Sequence, residues 1–355
     1  LSLTMTSRLT LPLSLLFTLL APSLAAPTTV PKGATVPNIW TNSHYDFEHC
    51  GKPVVGRARR GYGDDYDDGI GFNVDGVEEA ERGEMPWAVA ITTRVPSSPS
   101  SPRLCAGTLV SRRHVLSAAH CLSTSIDIPV QPGYPRCNTT DHFDLDDFIA
   151  WSEVKFGGEC LSKRDSSCDD YMVAKSVKIK NITLFPFFAD DCSRGSDLVI
   201  IELEHDVDVP HACLPHLHDI SGEDLKNSTI SPFHTFRWTS DKTKGIEYAD
   251  RLRKSSLTLV EDRCTHKWPS LSPDVLCAAD SKHITQCMGD SGAGLMTITK
   301  KRAFAIGVLS SSSVCAPEAK EEERGESRFT DIRLFSASID LAIGTVGKLP
   351  DGIIL

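Results

Sequence analysis

The stretch QCMGDSGAGL, Gln286 to Leu295, holds a serine between an aspartate and a glycine, just after a cysteine. A serine hydroxyl is a weak nucleophile. A chain that uses one needs a base beside it, a group orienting the base, and backbone donors facing the developing oxyanion. Gly289-Asp290-Ser291-Gly292 offers the serine and the donors, although by composition it fits a plain tight turn as well. The base must come from elsewhere. SAAHC, Ser117 to Cys121, places His120 at the end of an apolar strand pattern, and GSDLVIIEL places Asp197 at the head of a strongly apolar one. A lone carboxylate there is expensive to bury unless its charge is accepted, and a positioned imidazole N–H accepts it. Together the three side chains spell acyl transfer.

Such residues need a rigid frame. From Met85 onward short apolar runs (WAVAI, GTLVS, DLVIIEL, AIGVLS) alternate with turn-rich segments, which predicts an all-β barrel or sandwich. SSPSSP, Ser97 to Pro102, reads as a hairpin loop. Only RLFSASIDLAIGTV, Arg333 to Val346, has helical spacing, through Leu334, Ile339, Leu341 and Ile343, and it predicts one closing helix.

Composition narrows the classes. With 37 basic and 47 acidic residues the formal charge is −10, which argues against a nucleic-acid binder. The N-terminus reads as a secretory signal over residues 1–25, starting at Met5: Arg8 leads, Leu9 to Leu20 is apolar, and Ser23-Leu24-Ala25 is the small-residue cleavage site. No later segment reaches the roughly 18 apolar residues of a membrane helix. Twelve cysteines fit an oxidising compartment, and no Cys-x-x-Cys pair suggests zinc. Neither a metal nor a cofactor is expected, and His211, His216 and His218 read as surface histidines. Sequons at Asn138, Asn181 and Asn227 predict glycosylated surface loops. Between the signal and about Asn73 lies a prosegment with the basic cluster Arg57-Ala58-Arg59-Arg60, a candidate processing site, followed by an acidic run.

The order His, Asp, Ser along the chain separates this sequence from subtilisins and α/β-hydrolases, and the residue after Gly292 is Ala293, so no Gly-x-Ser-x-Gly elbow is present. The pattern resembles the chymotrypsin/trypsin family of secreted serine proteases over roughly Val74 to the C-terminus, and it is similar to the divergent nematode members. The resemblance implies two six-stranded antiparallel β-barrels with a C-terminal helix. It assigns Ser291 as nucleophile, His120 as base, Asp197 as orienting group, and the N–H groups of Gly289 and Ser291 as oxyanion donors. Ser310 resembles the family serine that bonds the triad aspartate, and stands with Thr285, Met288, Ser312 and Ser327 around the primary pocket.

The same resemblance implies disulfides Cys105 with Cys121, Cys264 with Cys277, Cys287 with Cys315, and Cys50 with Cys213, the last tethering a light chain. Cys137, Cys160, Cys168 and Cys192 are left with three possible pairings. His120 and Asp197 stand 77 positions apart, and that excess length reads as a disulfide-rich insertion around 122–190. In the family Asp290 pairs with a new α-amino group after zymogen cleavage, and Val74 aligns with that terminus. Asn73 rather than a basic residue precedes it, so either a cut after Arg60 is followed by a second or activation is unusual. Thr285 stands where an aspartate would select Arg or Lys, so uncharged side chains are expected in the pocket. Ser311 replaces the usual tryptophan. Expected partners are protein or peptide substrates, protein protease inhibitors and an activating protease. The competing reading is a protease-like binding protein without turnover, against which the complete triad counts.

Overall fold

The computed structural model describes residues 44–54, 77–124, 142–163, 166–188, 195–218, 220, 233–239, 248–260, 271–279, 289–312 and 326–345. Strands β2 (Ala88–Thr93), β3 (Arg103–Leu109), β4 (His114–Ser117), β5 (Ser152–Phe156), β6 (Lys175–Leu184) and β7 (Val199–Leu203) close a barrel in the order β2-β3-β4-β7-β6-β5. Every residue of β2 and β4 is buried, and of β7 only Glu202 is not. That is why these strands read as near-continuous apolar runs: one face fills the barrel and the other is covered.

A second antiparallel ring contains β8 (Phe233–Thr239), β9 (Tyr248–Leu259), β10 (Val275–Ala279), β11 (Gly294–Thr299), β12 (Arg302–Ser312) and β13 (Glu326–Asp331). The pairing of β8 with β9 closes it, and β1 (Val77–Glu79) adds to the outside of β9. Barrels abolish the edge strands that open sheets leave unpaired. The two barrels expected from the family resemblance are thus present.

The C-terminal segment forms a 3-10 turn at Ile332–Phe335 and then helix α2, Ser336–Ile343. Gly344 ends it in the left-handed conformation, its N–H returning to the Asp340 carbonyl. Ile339 and Ile343 are buried, but Leu334 and Leu341, read as part of the same apolar stripe, are 62% and 51% exposed. Leu334 falls in the 3-10 turn, which breaks the 3.6-residue period, and Leu341, midway between Ile339 and Ile343, lies on the opposite face of α2.

Two further departures from the sequence reading, and one pairing that it left open, stand out. A helix that the periodicity did not show, α1 (Leu145–Trp151), precedes β5; Asp144 caps it by accepting the N–H groups of Asp146 and Asp147. Within the insertion Cys160 pairs with Cys168. Their loop also bridges elements, since Cys160 forms β-bridges to Val173 and to Arg251 on β9. The sequon residue Asn181 lies exposed on strand β6 rather than in a loop. Asn138, Asn227, Cys137 and Cys192 lie outside the described residues.

Candidate active site

His120 sits in the 3-10 turn Ala119–Leu122 that follows β4, and the Cys105–Cys121 disulfide fastens this turn to β3. Its side chain is 16% exposed. Asp197, 2% exposed, enters from the head of β7 after two residues with positive φ, Gly195 (89°) and Ser196 (60°). A carboxylate so deeply buried needs donors, and the fold supplies three. The His120 backbone N–H donates to Oδ1 at 2.9 Å, the His120 Nδ1–H to Oδ2 at 2.7 Å, and the Ser310 hydroxyl to Oδ2 at 2.6 Å.

The Nδ1 bond fixes the tautomer, leaving Nε2 as the basic nitrogen. Burial alone would depress the His120 pKa, but the Asp197 charge and hydrogen bond override it, so the imidazole is held above its ordinary 6.5. The Ser310 hydroxyl, read both as a pocket wall and as a partner of Asp197, is committed to Asp197. Ser312 and Ser327 face each other across β12 and β13, Ser327 being buried.

Ser291 occupies the turn that leads into β11. Its carbonyl accepts the Ala106 N–H at 2.7 Å, and the next residue's N–H, that of Gly292, donates to Leu309 O at 2.9 Å. Ala106 adjoins the disulfide that holds the His120 turn, and Leu309 adjoins Ser310. The nucleophile candidate is therefore hydrogen-bonded on one side to the strand that anchors the base, and on the other to the strand that anchors the carboxylate. Gly292 has φ 88°, and a Cβ there would collide with Ala106 O and the Ser117 hydroxyl; only glycine permits this approach. Gly289 likewise has φ 97°. Among the described residues none accepts the N–H of Gly289 or Ser291.

A match to the Trypsin family model covers residues 74–154 and 152–322. The chain belongs to the trypsin family.

It is a serine-type endopeptidase. The trypsin-like protease try-5 of Caenorhabditis elegans is 29% identical over 266 residues, 70% of this chain and 80% of that protein. A venom protease of Bombus pensylvanicus is 28% identical over 250 residues, 68% of this chain and 90% of the other. The CLIP domain-containing serine protease B15 of Anopheles gambiae is 27% identical over 243 residues, 66% of this chain and 60% of that protein.

For this trypsin-family chain the structure adds residues that sequence reading passed over. The Thr330 hydroxyl donates to the Asp197 carbonyl at 3.1 Å. Asp274, itself buried, accepts the Ser196 N–H at 2.6 Å and so fixes the positive-φ turn that delivers Asp197. Both act through tertiary contact with residues far away in the chain, so their local sequence gives no signal. Asp290 is fully buried, its Oδ1 accepting the Trp238 N–H at 3.2 Å. Val74, Thr285, Met288, Cys264, Cys287 and Cys315 lie outside the described residues; Cys277 is disulfide-bonded.

Proposed function

We propose that this trypsin-family protein is a secreted endopeptidase, made as a zymogen, that cleaves peptide bonds through an acyl-enzyme on Ser291. In the acylation step His120 Nε2 takes the Ser291 hydroxyl proton as Oγ bonds to the scissile carbonyl carbon. The N–H groups of Gly289 and Ser291 hold the resulting oxyanion. The imidazolium, steadied by Asp197, then returns the proton to the departing amine, and water repeats the cycle to free the acid. The observation carrying this reading is the triply donated Asp197 carboxylate with its imidazole partner, a costly arrangement whose product is one basic Nε2.

Zymogen activation completes the proposal. Asp290 is a buried carboxylate, and, as the family resemblance implies, the α-amino group of a chain beginning at Val74 is its proposed partner after cleavage. β1 starts three residues after Val74 and its Val77 pairs with Ser255, which in turn pairs with Thr235 on the strand carrying Trp238. A cut after Arg60 leaves residues 61–73 ahead of Val74, so a second cut, after Asn73, is the step that releases that terminus. Thr285 at the pocket floor favours uncharged side chains over Arg or Lys. Secretion is supported by the signal-like N-terminus and by disulfides, which persist in oxidising compartments. Protein protease inhibitors and an activating protease are the partners this reading implies.

The deciding experiment labels the protein secreted by expressing cells with a fluorophosphonate, before and after convertase treatment, beside a Ser291→Ala control. N-terminal sequencing of the labelled chain identifies the cut. Labelling of the wild type alone, on a chain starting at Val74, is expected. No labelling of any processed form would leave a protease-like binding protein as the better reading.

A further inference from the structure

Residues 44–54 lie far in sequence from the domains they touch and make backbone bonds to both. The His44 carbonyl accepts the Arg112 N–H in the turn before β4 at 2.9 Å. Gly51 exchanges bonds with two elements, its N–H to His211 O at 2.7 Å and its carbonyl to Ala303 N on β12 at 2.9 Å. Val54 N–H reaches Gly83 O at 2.7 Å. Side chains extend the pattern. The Arg302 guanidinium donates to the carbonyls of Phe47 and Glu48, each at 2.9 Å. Tyr45, 5% exposed, accepts the Leu214 N–H and bonds His218 Nε2, each at 2.9 Å. The Cys50–Cys213 disulfide is thus one fastening among many.

His211 departs from the sequence reading: it is not a surface residue but 1% exposed, beneath the segment. Its Nδ1 donates to Ala212 O at 2.8 Å, so the proton sits there and Nε2 is free to accept the Asp46 N–H at 2.8 Å. A second proton on Nε2 would set N–H against N–H and break that bond.

We propose that the catalytic domain carries a histidine-lined cradle that holds residues 44–54 without the disulfide, so that this segment, once cut from the rest of the chain, stays bound at neutral pH and leaves in acid. The groups around His211 set the direction. Burial is the largest influence, and Arg112 and His218 act with it against the proton, while Asp46 favours it; the outcome is a pKa lowered to about 4. His218 is also lowered, by burial first and then by Arg302 and by His216, which itself bonds Asp340. Two contacts pull the other way: His44 with Asp206 and His49 with Asp46 both tighten when the imidazole is charged. Their side chains are about a third or more exposed, where ion pairs contribute little. A depressed histidine contributes binding that is complete above about 6.5 and is lost as pH falls from there toward 4.

The inference rests on the reading that the chain is cut between Val54 and Val77, and an engineered cut keeps its test separate from that reading. A sequence-specific protease site replaces Arg57–Arg60 in full-length Ser291→Ala protein that also carries Cys50→Ser and Cys213→Ser. After cleavage, size exclusion with mass spectrometry measures retention of the N-terminal fragment at pH 7.5 and pH 5. The fragment is expected to remain at pH 7.5 and to bind at least about ten-fold more weakly at pH 5. His211→Gln, which keeps an acceptor but cannot titrate, is expected to remove most of that difference. Loss of the fragment at pH 7.5, or equal retention at both values, overturns the proposal. Should the disulfide-free variant fail to fold, amide exchange of residues 44–54 in the cleaved, disulfide-bonded protein decides. Protection at pH 7.5 that drops at pH 5 beyond the intrinsic rate change supports the cradle, and unprotected or pH-independent exchange sinks it.

Discussion

The two barrels bury different chemistry. In β2 to β7 the buried positions are apolar or carry hydroxyls, apart from His114, whose pKa burial lowers to about 4 so that it stays neutral. In β8 to β13 the buried set includes His234, Arg237, Lys254, Arg328 and Asp331. The strands of the first barrel keep their interior cheap, and at its rim stands a costly group, Asp197, surrounded by donors. The second carries the turn with Ser291 and distributes charge through its walls. A site that must move protons is thus assembled where an apolar scaffold and a polar one meet.

The sharpest way to break this contrast is Asp197→Asn. If the first barrel concentrates its electrostatics in that carboxylate, the variant should fold yet lose about 10⁴ in kcat. A loss under ten-fold in peptide hydrolysis would show that the charge is not needed. Next in size are two stability tests read by denaturant unfolding. Leu116→Ala, at a fully buried position of the first barrel, should cost about 2–5 kcal/mol with no simple rescue. Glu84→Ala removes the carboxylate bonded to Lys254 of the second barrel and should cost about 3–5 kcal/mol, most of it recovered by adding Lys254→Met. Failure of the double variant to recover would place the second barrel's stability in something other than paired charge.

Smaller still is Ser310→Ala, which takes one of three donors from Asp197. Hydrogen bonds to charged groups contribute about 1.5–3 kcal/mol, so a loss of roughly ten- to a hundred-fold in kcat is expected, with KM little changed. The smallest effect is a displacement in pH. Because the fold raises the His120 pKa, the acid limb of kcat/KM should have its midpoint above 6.5 and move down in Asp197→Asn. In stability the same interaction is complete below 6.5 and fades as pH rises through the raised pKa. An unmoved limb would assign it to another group.

The contrast also explains what the sequence could disclose. Three of the four apolar runs that signalled strands, WAVAI, GTLVS and DLVIIEL, belong to the first barrel. FHTFRWT and the last nine residues of β9, RLRKSSLTL, carry arginines and lysine at or beside buried positions, so their alternation is obscured. His120, Asp197 and Ser291 were legible because their types and neighbours are rare in combination. Asp274 and Thr330 were not, since each matters only through a partner 78 or 133 positions away. Residues 44–54 show no period because successive residues meet different elements. The Cys160–Cys168 pair was one of several possibilities until the chain path brought the two together.

The peptide linking Cys105 to Ala106 has a wider consequence. The Cys105 sulfur fastens the turn of His120, the Ala106 amide of this peptide holds the carbonyl of Ser291, and the Ala106 oxygen just beyond it receives the Ser117 hydroxyl and bars any side chain at Gly292. Base and nucleophile are therefore gauged from one common datum. A strain at that peptide displaces both together, so their errors in position are correlated, and the separation between them, on which proton transfer depends, is buffered against distortions that would spoil two independently mounted groups.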